Sequence, residues 1–342
     1  MPGQNLAAWR SIFEPVFDLV VSSDDGDDFF GTIELYPAAD LLIGVAESSP
    51  LCFERALQKV ISSNFDHILA RFVVSGELQG EFGAKKVVTR EGNIVLVDLA
   101  QPCRIACVNG DNSFKEIVVW MPRRALAPQI PDTYSLHGLM LEENVATSHL
   151  VQSCAQFLRG VATRSGQIEN FSPIALSLKR LINEAILNSD VAMKGPRLNQ
   201  GEGAYADIMG FIDNNVNSAH LSVDDIAKSL GVSRASLYRL FAPAGGIAQY
   251  VKKIRLRAAF DEITAPRRAA ARVKDIAFRA GFKNLSAFSR AFRQEYAVSP
   301  RQARLMAARG SDAPLSTGFN SQAGLLAEWL QGAAGQRAPR HD

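Results

Sequence analysis

Cysteine is scarce in this chain, with four residues among 342. Cys52, Cys103, Cys107 and Cys154 are too few and too scattered to form a disulfide scaffold. No apolar run approaches the roughly eighteen residues that a membrane-spanning helix needs, and no basic segment precedes an apolar stretch at the start of the chain. We therefore expect a cytoplasmic protein with reduced thiols, without a signal peptide and without membrane association.

Residues that bind metals or catalyse reactions are also sparse. The five histidines are scattered, with no pair at the spacing that metal ligands take on a helix. No phosphate-binding loop and no serine-elbow motif is present, and the glycine-rich residues 201–206 follow a linker rather than a strand. Cys103 and Cys107 would share one face of a strand as a redox pair, but buried, inert thiols are the better interpretation. We expect no enzyme activity, no cofactor and no metal site.

Charge is distributed unevenly, although the whole chain carries only +2. Residues 1–204 contain 17 Lys/Arg and 24 Asp/Glu, a net charge of −7, whereas residues 205–310 contain 18 and 8, a net charge of +10. An acidic half repels the phosphates of nucleic acid and a basic third attracts them. The pattern predicts a nucleic-acid-binding module attached to a module with another task.

The N-terminal half contains short segments that are typical of β-strands. Six runs rich in β-branched and aromatic residues lie at residues 30–35, 41–45, 67–74, 86–89, 94–99 and 117–120, with turns predicted at Gly76, Gly80, Gly83, Gly92 and Gly110. This spacing predicts a small barrel or jelly roll. From about Ser135 the apolar period becomes three and four residues, which predicts two helices over about residues 139–158 and 174–186, packed as an antiparallel pair.

One pattern occurs twice in the basic third, over residues 221–241 and 273–292. Each copy has Ile-Ala, a glycine four residues after that alanine, a small polar cap, and then a helix that carries arginine and ends on phenylalanine. Gly231 and Gly281 fall where the first helix of each pair must stop, a position that favours left-handed backbone. The second copy has one more residue in its turn. The repeat predicts two helix-turn-helix motifs that read adjacent segments of the DNA major groove.

The second helix of each motif offers polar side chains to DNA. Arginine suits guanine, asparagine suits adenine, and serine suits a phosphate or a base edge. A helical bundle whose arginines only face solvent is the alternative, and the two copies together with the charge of +10 disfavour it. The candidate DNA-binding residues are Ser233, Arg234, Ser236 and Arg239 in the first motif, and Lys283, Asn284, Ser286, Ser289, Arg290 and Arg293 in the second.

The C-terminal pattern resembles the DNA-binding domain of the AraC/XylS family of bacterial transcription regulators. The resemblance is carried by Asp275-Ile276-Ala277, Ala280-Gly281-Phe282, Phe288-Ser289-Arg290-Ala291-Phe292, Tyr296 and Val298-Ser299-Pro300. The chain departs from the family at Ala297 (usually Gly), at Ala303 (usually Tyr) and over residues 243–250, where the usual Gly-x-Ser-Pro-x-x-Tyr is replaced. The last departure affects the start of the helix that joins the two motifs.

The N-terminal half resembles, more weakly, the effector-binding domain of the same family, a cupin-like β-barrel followed by dimerising helices. Ser75-Gly76, residues 92–98 and residues 121–126 carry this second resemblance. It implies an α+β chain in which the barrel and two helices precede an all-α DNA-binding domain with two helix-turn-helix motifs. The implied partners are double-stranded promoter DNA, a small-molecule effector, RNA polymerase and a second copy of the chain in a homodimer.

Four segments follow from these patterns. We predict a cupin-like effector-binding and dimerisation domain at residues 1–187, a linker at 188–203, an AraC-type DNA-binding domain at 204–310 and a flexible tail at 311–342, with a short helix around residues 325–330. An apolar or aromatic effector inside the barrel, or simply a packed core there, would involve the inward side chains. We expect these to be Phe30, Ile33, Leu35, Phe72, Val74, Val95, Val97, Val119 and Trp120.

Three other functions remain open. The first is a sensor of a cyclic dinucleotide, which would use Arg104, Arg123 and Arg124, although the net charge of −7 argues against an anionic ligand. The second is a constitutive regulator whose N-terminal half only dimerises. The third is a DNA-repair protein that transfers methyl groups, for which Cys103 beside Arg104 is the candidate nucleophile. The sequence does not determine the effector, the operator or the sign of regulation.

Overall fold

A computed structural model describes residues 6–21, 29–38, 40–63, 65–108, 113–126, 130, 133–141, 172–189, 203–216, 221–242, 245–264, 272–296, 298–308 and 322–333. The chain divides into two compact units. The first is Met1–Glu202 together with Phe319–Trp329, and the second is Gly203–Gly318 together with Leu330–Asp342. Within the described residues, no helix is long and apolar enough to cross a membrane.

The first unit is built on two antiparallel sheets. The strands are β1 (Asp18–Val20), β2 (Gly31–Ala38), β3 (Leu41–Ser48), β4 (Leu51–Arg55), β5 (His67–Ser75), β6 (Glu77–Phe82), β7 (Lys85–Arg90), β8 (Ile94–Asp98), β9 (Cys103–Val108), β10 (Phe114–Pro122) and β11 (Met140–Leu141). One sheet has the order β1-β4-β9-β6-β7 and the other β11-β8-β5-β10-β3-β2. Because no two neighbouring strands run parallel, hairpins and longer crossovers connect them without βαβ units.

Helices follow and flank these sheets. They are α1 (Leu6–Phe13), α2 (Leu57–Ser63), α3 (Ser172–Leu187), α4 (Gly203–Asn215), α5 (Val223–Leu230), α6 (Arg234–Leu240), α7 (Ile247–Thr264), α8 (Val273–Arg279), α9 (Leu285–Tyr296), α10 (Pro300–Ala308) and α11 (Gln322–Ala333). The predicted α+β class, an antiparallel β domain followed by an all-α unit, is confirmed. All six predicted β runs lie in strands of the structure.

The six-stranded sheet is buried on both faces. Alternate residues of a strand point to opposite faces, and the face that contains Ala70 and Val119 packs against the apolar stripe of α3 around Leu178 and Ile182. The other face contains Leu69 and meets the five-stranded sheet. The apolar core of the unit is therefore split into a layer beneath α3 and a layer between the two sheets.

Some sequence predictions for this unit were wrong. The helix predicted from about residue 139 does not begin there, because Met140 and Leu141 pair with β8 as strand β11; residues 142–171 lie outside the described residues. Gly80 was predicted to be a turn but lies inside β6, where the ring of Phe82 occupies the place of its missing side chain. Gly76, Gly83 and Gly92 do have the positive φ expected of turns, and Gly110 is not described.

The predicted short helix near the C-terminus is present as α11. Its side chains at Leu325, Leu326 and Trp329 are buried. The ring of Trp329 lies 5.3 Å from the imidazole of His67 in β5. This part of the predicted tail therefore packs on the β unit, although the two helix-turn-helix repeats separate it from that unit in the sequence.

Candidate nucleic-acid interface

The first repeat folds as two short helices, α5 and α6, joined by a tight turn. The hydroxyl of Ser222 accepts a hydrogen bond from the backbone N–H of Asp225, whose carboxylate in turn accepts from the N–H of Ser222. This reciprocal capping box satisfies two donors that the first turn would otherwise leave unpaired. Gly231 ends α5 with φ of 65°, as the sequence predicted. The side chain of Ser233 then caps α6 by accepting from the N–H of Ser236.

The second repeat, α8 and α9, has the same plan with different capping. Gly281 has φ of 74°, again as predicted, and α9 begins at Leu285, one residue later after its glycine than α6 does. The side-chain oxygen of Asn284 accepts a hydrogen bond at 2.8 Å from the N–H of Ala287. Asn284 is therefore the N-cap of α9 as well as a candidate base contact.

The sequence places ten apolar residues inside the two motifs; Val223, Leu230, Val273 and Phe282 are half-buried, and the others are buried. In the first motif these are Ile226, Leu237 and Phe241, each 1% exposed or less. In the second, Phe288 and Phe292 are fully buried and their rings lie 5.4 Å apart. Because these side chains fix how each helix pair packs, they leave only the opposite faces of α6 and α9 for recognition.

On α9 the candidate residues form one stripe. Ser286, Ser289, Arg290 and Arg293 are spaced by three or four residues, which aligns them along one side of a helix. Ser289 is half-buried and the other three are exposed. This side is largely opposite the buried face formed by Phe288, Ala291 and Phe292, so the stripe points away from the core. Lys283 and Asn284, just before the helix, are also exposed.

On α6 the exposed face includes a residue that the sequence analysis did not select. Arg234 and Arg239 are exposed, and Ser236 is half-buried. Tyr238 lies one turn after Arg234 and is 45% exposed, an unusual position for an aromatic ring on a helix this short. Its only sequence signal was its place four residues after Arg234, which puts both on one side of the helix.

Arg234 has a partner in the first motif. Its guanidinium lies 3.0 Å from the carboxylate of Asp224, and both side chains are more than half exposed. An exposed ion pair of this kind contributes about 0–1 kcal/mol, so the guanidinium of Arg234 can leave Asp224 at little cost.

A second candidate site lies between the sheets of the first unit. The guanidinium of Arg71 donates two hydrogen bonds of 2.7 Å to the carboxylate of Glu116. Both side chains are at most 5% exposed. Arg71 also lies over the ring of Phe53, 4.8 Å from its centroid, and donates to the sulfur of Cys107. This buried ion pair lies beside a cavity of only about 10 Å³, which is also lined by Phe13, Phe17 and Trp120.

The predicted lining of the barrel needs correction. Ile33 and Trp120 do line the cavity, and Leu35, Val95 and Val97 are in register with residues of that face. Phe72 and Val119 instead belong to the layer beneath α3, because the alternation of strands turns them to the opposite face. Phe30 and Val74 are about two-fifths exposed and line neither layer.

The arginines proposed for an anionic ligand are not arranged around this cavity. Arg123 is buried and its guanidinium already binds Asp66, Asp98 and the hydroxyl of Thr133. Arg104 is exposed on β9, on the face opposite the buried Cys103. The arrangement does not favour a cyclic dinucleotide.

The cysteines of β9 are unsuited to nucleophilic chemistry. Burial raises the pKa of both Cys103 and Cys107 to about 12, so each remains a protonated thiol near neutral pH. Four residues of strand separate them by about 13 Å, too far for a disulfide. Cys103 therefore offers no support for the methyl-transfer alternative. Among the described residues, no cluster of His, Cys, Asp and Glu could hold a metal ion.

Comparison with known proteins agrees with this geometry. A family model described as a helix-turn-helix domain matches residues 226–306. The transcriptional activator NphR of a Rhodococcus species is 23% identical over 269 residues, 77% of each chain. The transcriptional activator RhrA of Rhizobium meliloti is 29% identical over 124 residues, 36% of this chain and 39% of that relative. These relatives are transcription regulators rather than enzymes.

A solved structure shows the same fold. The AraC-like transcriptional activator CuxR superposes with a TM-score of 0.52 and 22% identity, covering 75% of this chain and 91% of CuxR. The shared region is large enough to include both the β domain and helix-turn-helix motifs. The two-domain layout deduced from the sequence is therefore that of a known architecture.

Proposed function

We propose that the chain is a DNA-binding transcription regulator of the AraC/XylS type, to whose members it is similar, and that α6 and α9 are its two recognition helices. The observation that carries this proposal is the repeat itself. Each motif buries its apolar residues and leaves a polar face, and the region around them has a net charge of +10. Such a pair reads two neighbouring segments of the major groove, while basic residues outside the recognition helices contact phosphates.

The proposal is tested by selecting binding sites from random duplexes with the full chain and measuring affinities for the selected site. We expect binding that weakens steeply with salt, since a unit of this size makes roughly five to ten phosphate contacts. Arg234→Ala should relax base preference at one position by about 1–3 kcal/mol. Lys253→Ala on α7 is the matched control, because loss of a phosphate contact weakens all sequences about equally. A uniform loss with Arg234→Ala would reassign that side chain to a phosphate.

We further propose that a small-molecule effector binds between the sheets of the first unit, at Arg71 and Glu116. Burying an ion pair in a core carries a desolvation cost that apolar side chains would avoid. Here the pair adjoins a cavity with aromatic walls. The cavity has about the room of one water molecule, so a ligand must displace side chains. Phe13 and Phe17, which close one side from α1 and the residues after it, are the candidates to move.

The effector proposal is tested by thermal melting of the full chain with aromatic acids, aromatic amines and cyclic dinucleotides. A ligand at a hundredfold excess over its Kd stabilises the folded state by about 2.7 kcal/mol. A true effector must also change promoter occupancy, because regulation requires different affinities for two states of the protein. If no compound does either, a constitutive regulator is the better account.

Two further partners and a cellular location complete the proposal. By analogy with relatives named as activators, we propose that the chain activates transcription through contact with RNA polymerase, and that it works in the cytoplasm, where promoter DNA is accessible. We also propose a homodimer, for which α3 presents Leu176, 52% exposed, on its outer side. Light scattering of the full chain tests the oligomeric state, and transcription in vitro with purified polymerase tests activation.

A further inference from the structure

The long helix α7 joins the two helix-turn-helix motifs and packs on both. Near its start Tyr250 packs on Phe241 at the end of α6, with ring centroids 4.8 Å apart. In its second half Phe260 stacks on Phe292 of α9 at 5.8 Å. An α-helix of 18 residues is about 27 Å long, so α7 connects two separate apolar cores. The orientation of one recognition helix relative to the other depends on how α7 sits on each motif.

Arg255 lies in the middle of α7, between these two cores. Its guanidinium donates a hydrogen bond of 3.3 Å to the carbonyl oxygen of Leu221, the residue before the capping box of the first motif. The same guanidinium lies against Gly281 in the turn of the second motif. A Cβ on Gly281 would be only 2.6 Å from Nη1 and 2.7 Å from Cζ of Arg255. One side chain therefore contacts the beginning of one motif and the turn of the other.

The surroundings favour a cation at this point. Gly281 follows the last turn of α8, and the carbonyl end of a helix carries partial negative charge. Arg255 is half-buried, which lowers its pKa below the ordinary value without neutralising a guanidinium. The planar group fits over the bare Cα of Gly281, which a lysine ammonium could not do in the same way.

We propose that Arg255 is the positioning residue that fixes the spacing between the two DNA segments read by α6 and α9. It contacts no base. By linking Leu221 to Gly281 across α7, it holds the two motifs in the one relative orientation that suits a single spacing. This inference rests on the proposed recognition of DNA by both α6 and α9. It adds a prediction about the spacing of the two DNA segments.

The DNA test compares the selected site with the same site carrying one base pair inserted between its two segments. We expect the wild-type chain to prefer the native spacing. Arg255→Ala should reduce that preference about tenfold, as happens when the fraction of chains in the binding orientation falls to about one tenth. Arg255→Lys should restore little of the preference, because it keeps charge but not the planar group. Lys253→Ala is the charge-matched control and should weaken both duplexes equally.

A second test needs no DNA. Gly231 and Gly281 occupy equivalent positions and both have positive φ, but a Cβ on Gly231 would meet nothing within 4 Å. Gly281→Ala should therefore lower the melting temperature more than Gly231→Ala does. In the Arg255→Ala background the two substitutions should become equal, since the contact that distinguishes them is gone.

The outcomes separate this inference from the proposed function. If the wild-type chain selects no sequence, the two-helix reading fails, and the melting comparison still decides whether Arg255 links the motifs. If the chain binds its site but Arg255→Ala leaves the spacing preference unchanged, the positioning role is overturned. Equal effects of the two glycine substitutions in the wild-type background would mean that the guanidinium moves away from Gly281 at no cost, which would overturn its role as a link between the motifs.

Discussion

The buried pair of Arg71 and Glu116 permits a prediction that separates stability from function. Both side chains are almost fully enclosed, and two hydrogen bonds of 2.7 Å join them. Replacing Glu116 with Ala leaves a buried guanidinium without its carboxylate, which costs about 3–5 kcal/mol. For a domain of this size each kcal/mol corresponds to about 2–4 °C. We therefore expect the melting temperature to fall by roughly 6–20 °C.

The double substitution Arg71→Met with Glu116→Leu should behave differently. Apolar side chains of similar volume remove the desolvation cost of both charges, so the double variant should melt near the wild-type temperature or above it. Each single variant should be much less stable, and the double-mutant cycle should yield a large coupling energy. Circular dichroism of the full chain measures the melting temperature of all four proteins.

The result that refutes this reasoning is a double variant as unstable as the sum of the single variants. The contacts of Arg71 with Phe53 and Cys107 would then matter more than its pairing with Glu116. If the double variant is stable, its response to an effector becomes informative. A stable protein that binds promoter DNA yet ignores the effector would indicate that the pair is present for ligand binding rather than for folding.

Three further predictions concern other parts of the chain. Burial lowers the pKa of His137 to about 4 from the ordinary 6.5, so the chain takes up a proton when it unfolds between these pH values. The contribution of His137 to the free energy of unfolding should be full above pH 6.5 and should fall by about 3 kcal/mol toward pH 4. In urea titrations His137→Gln should flatten this dependence on pH. Asn284→Ala should lose about 1 kcal/mol of stability with its helix cap as well as base preference, but Asn284→Ser should lose preference alone in melting and binding assays. Trp329→Ala should speed hydrogen exchange in α11 without unfolding the sheets, because α11 packs on His67 through that ring; unchanged exchange would contradict the docking of α11.

Short-range signals allowed the second unit to be predicted in detail. The left-handed Gly231 and Gly281 and the longer second turn each depend on residues within about five positions of one another. Tyr238 was missed because an aromatic residue in a helix usually packs inside. What the sequence could not provide was the contact of Arg255 with Leu221 and Gly281, since it depends on how three helices assemble.

The first unit was predicted less completely, because the strands that pair in its sheets and the residues that form its buried ion pair are distant in sequence. Strand β6 was not predicted, because Gly80 is typical of a turn. The sequence also did not show which face of the sheet each side chain occupies, and this decides that Val119 faces α3 while Trp120 faces the cavity. Arg71 and Glu116 are 45 residues apart, and each alone is typical of a solvated surface. The net charge of −7 argues only weakly about the charge of a ligand, because exposed charges are screened by solvent. Arg71 and Glu116 are the charged side chains that line the cavity, so we expect the chemistry of an effector at the proposed site to follow from this buried pair rather than from the composition of the domain.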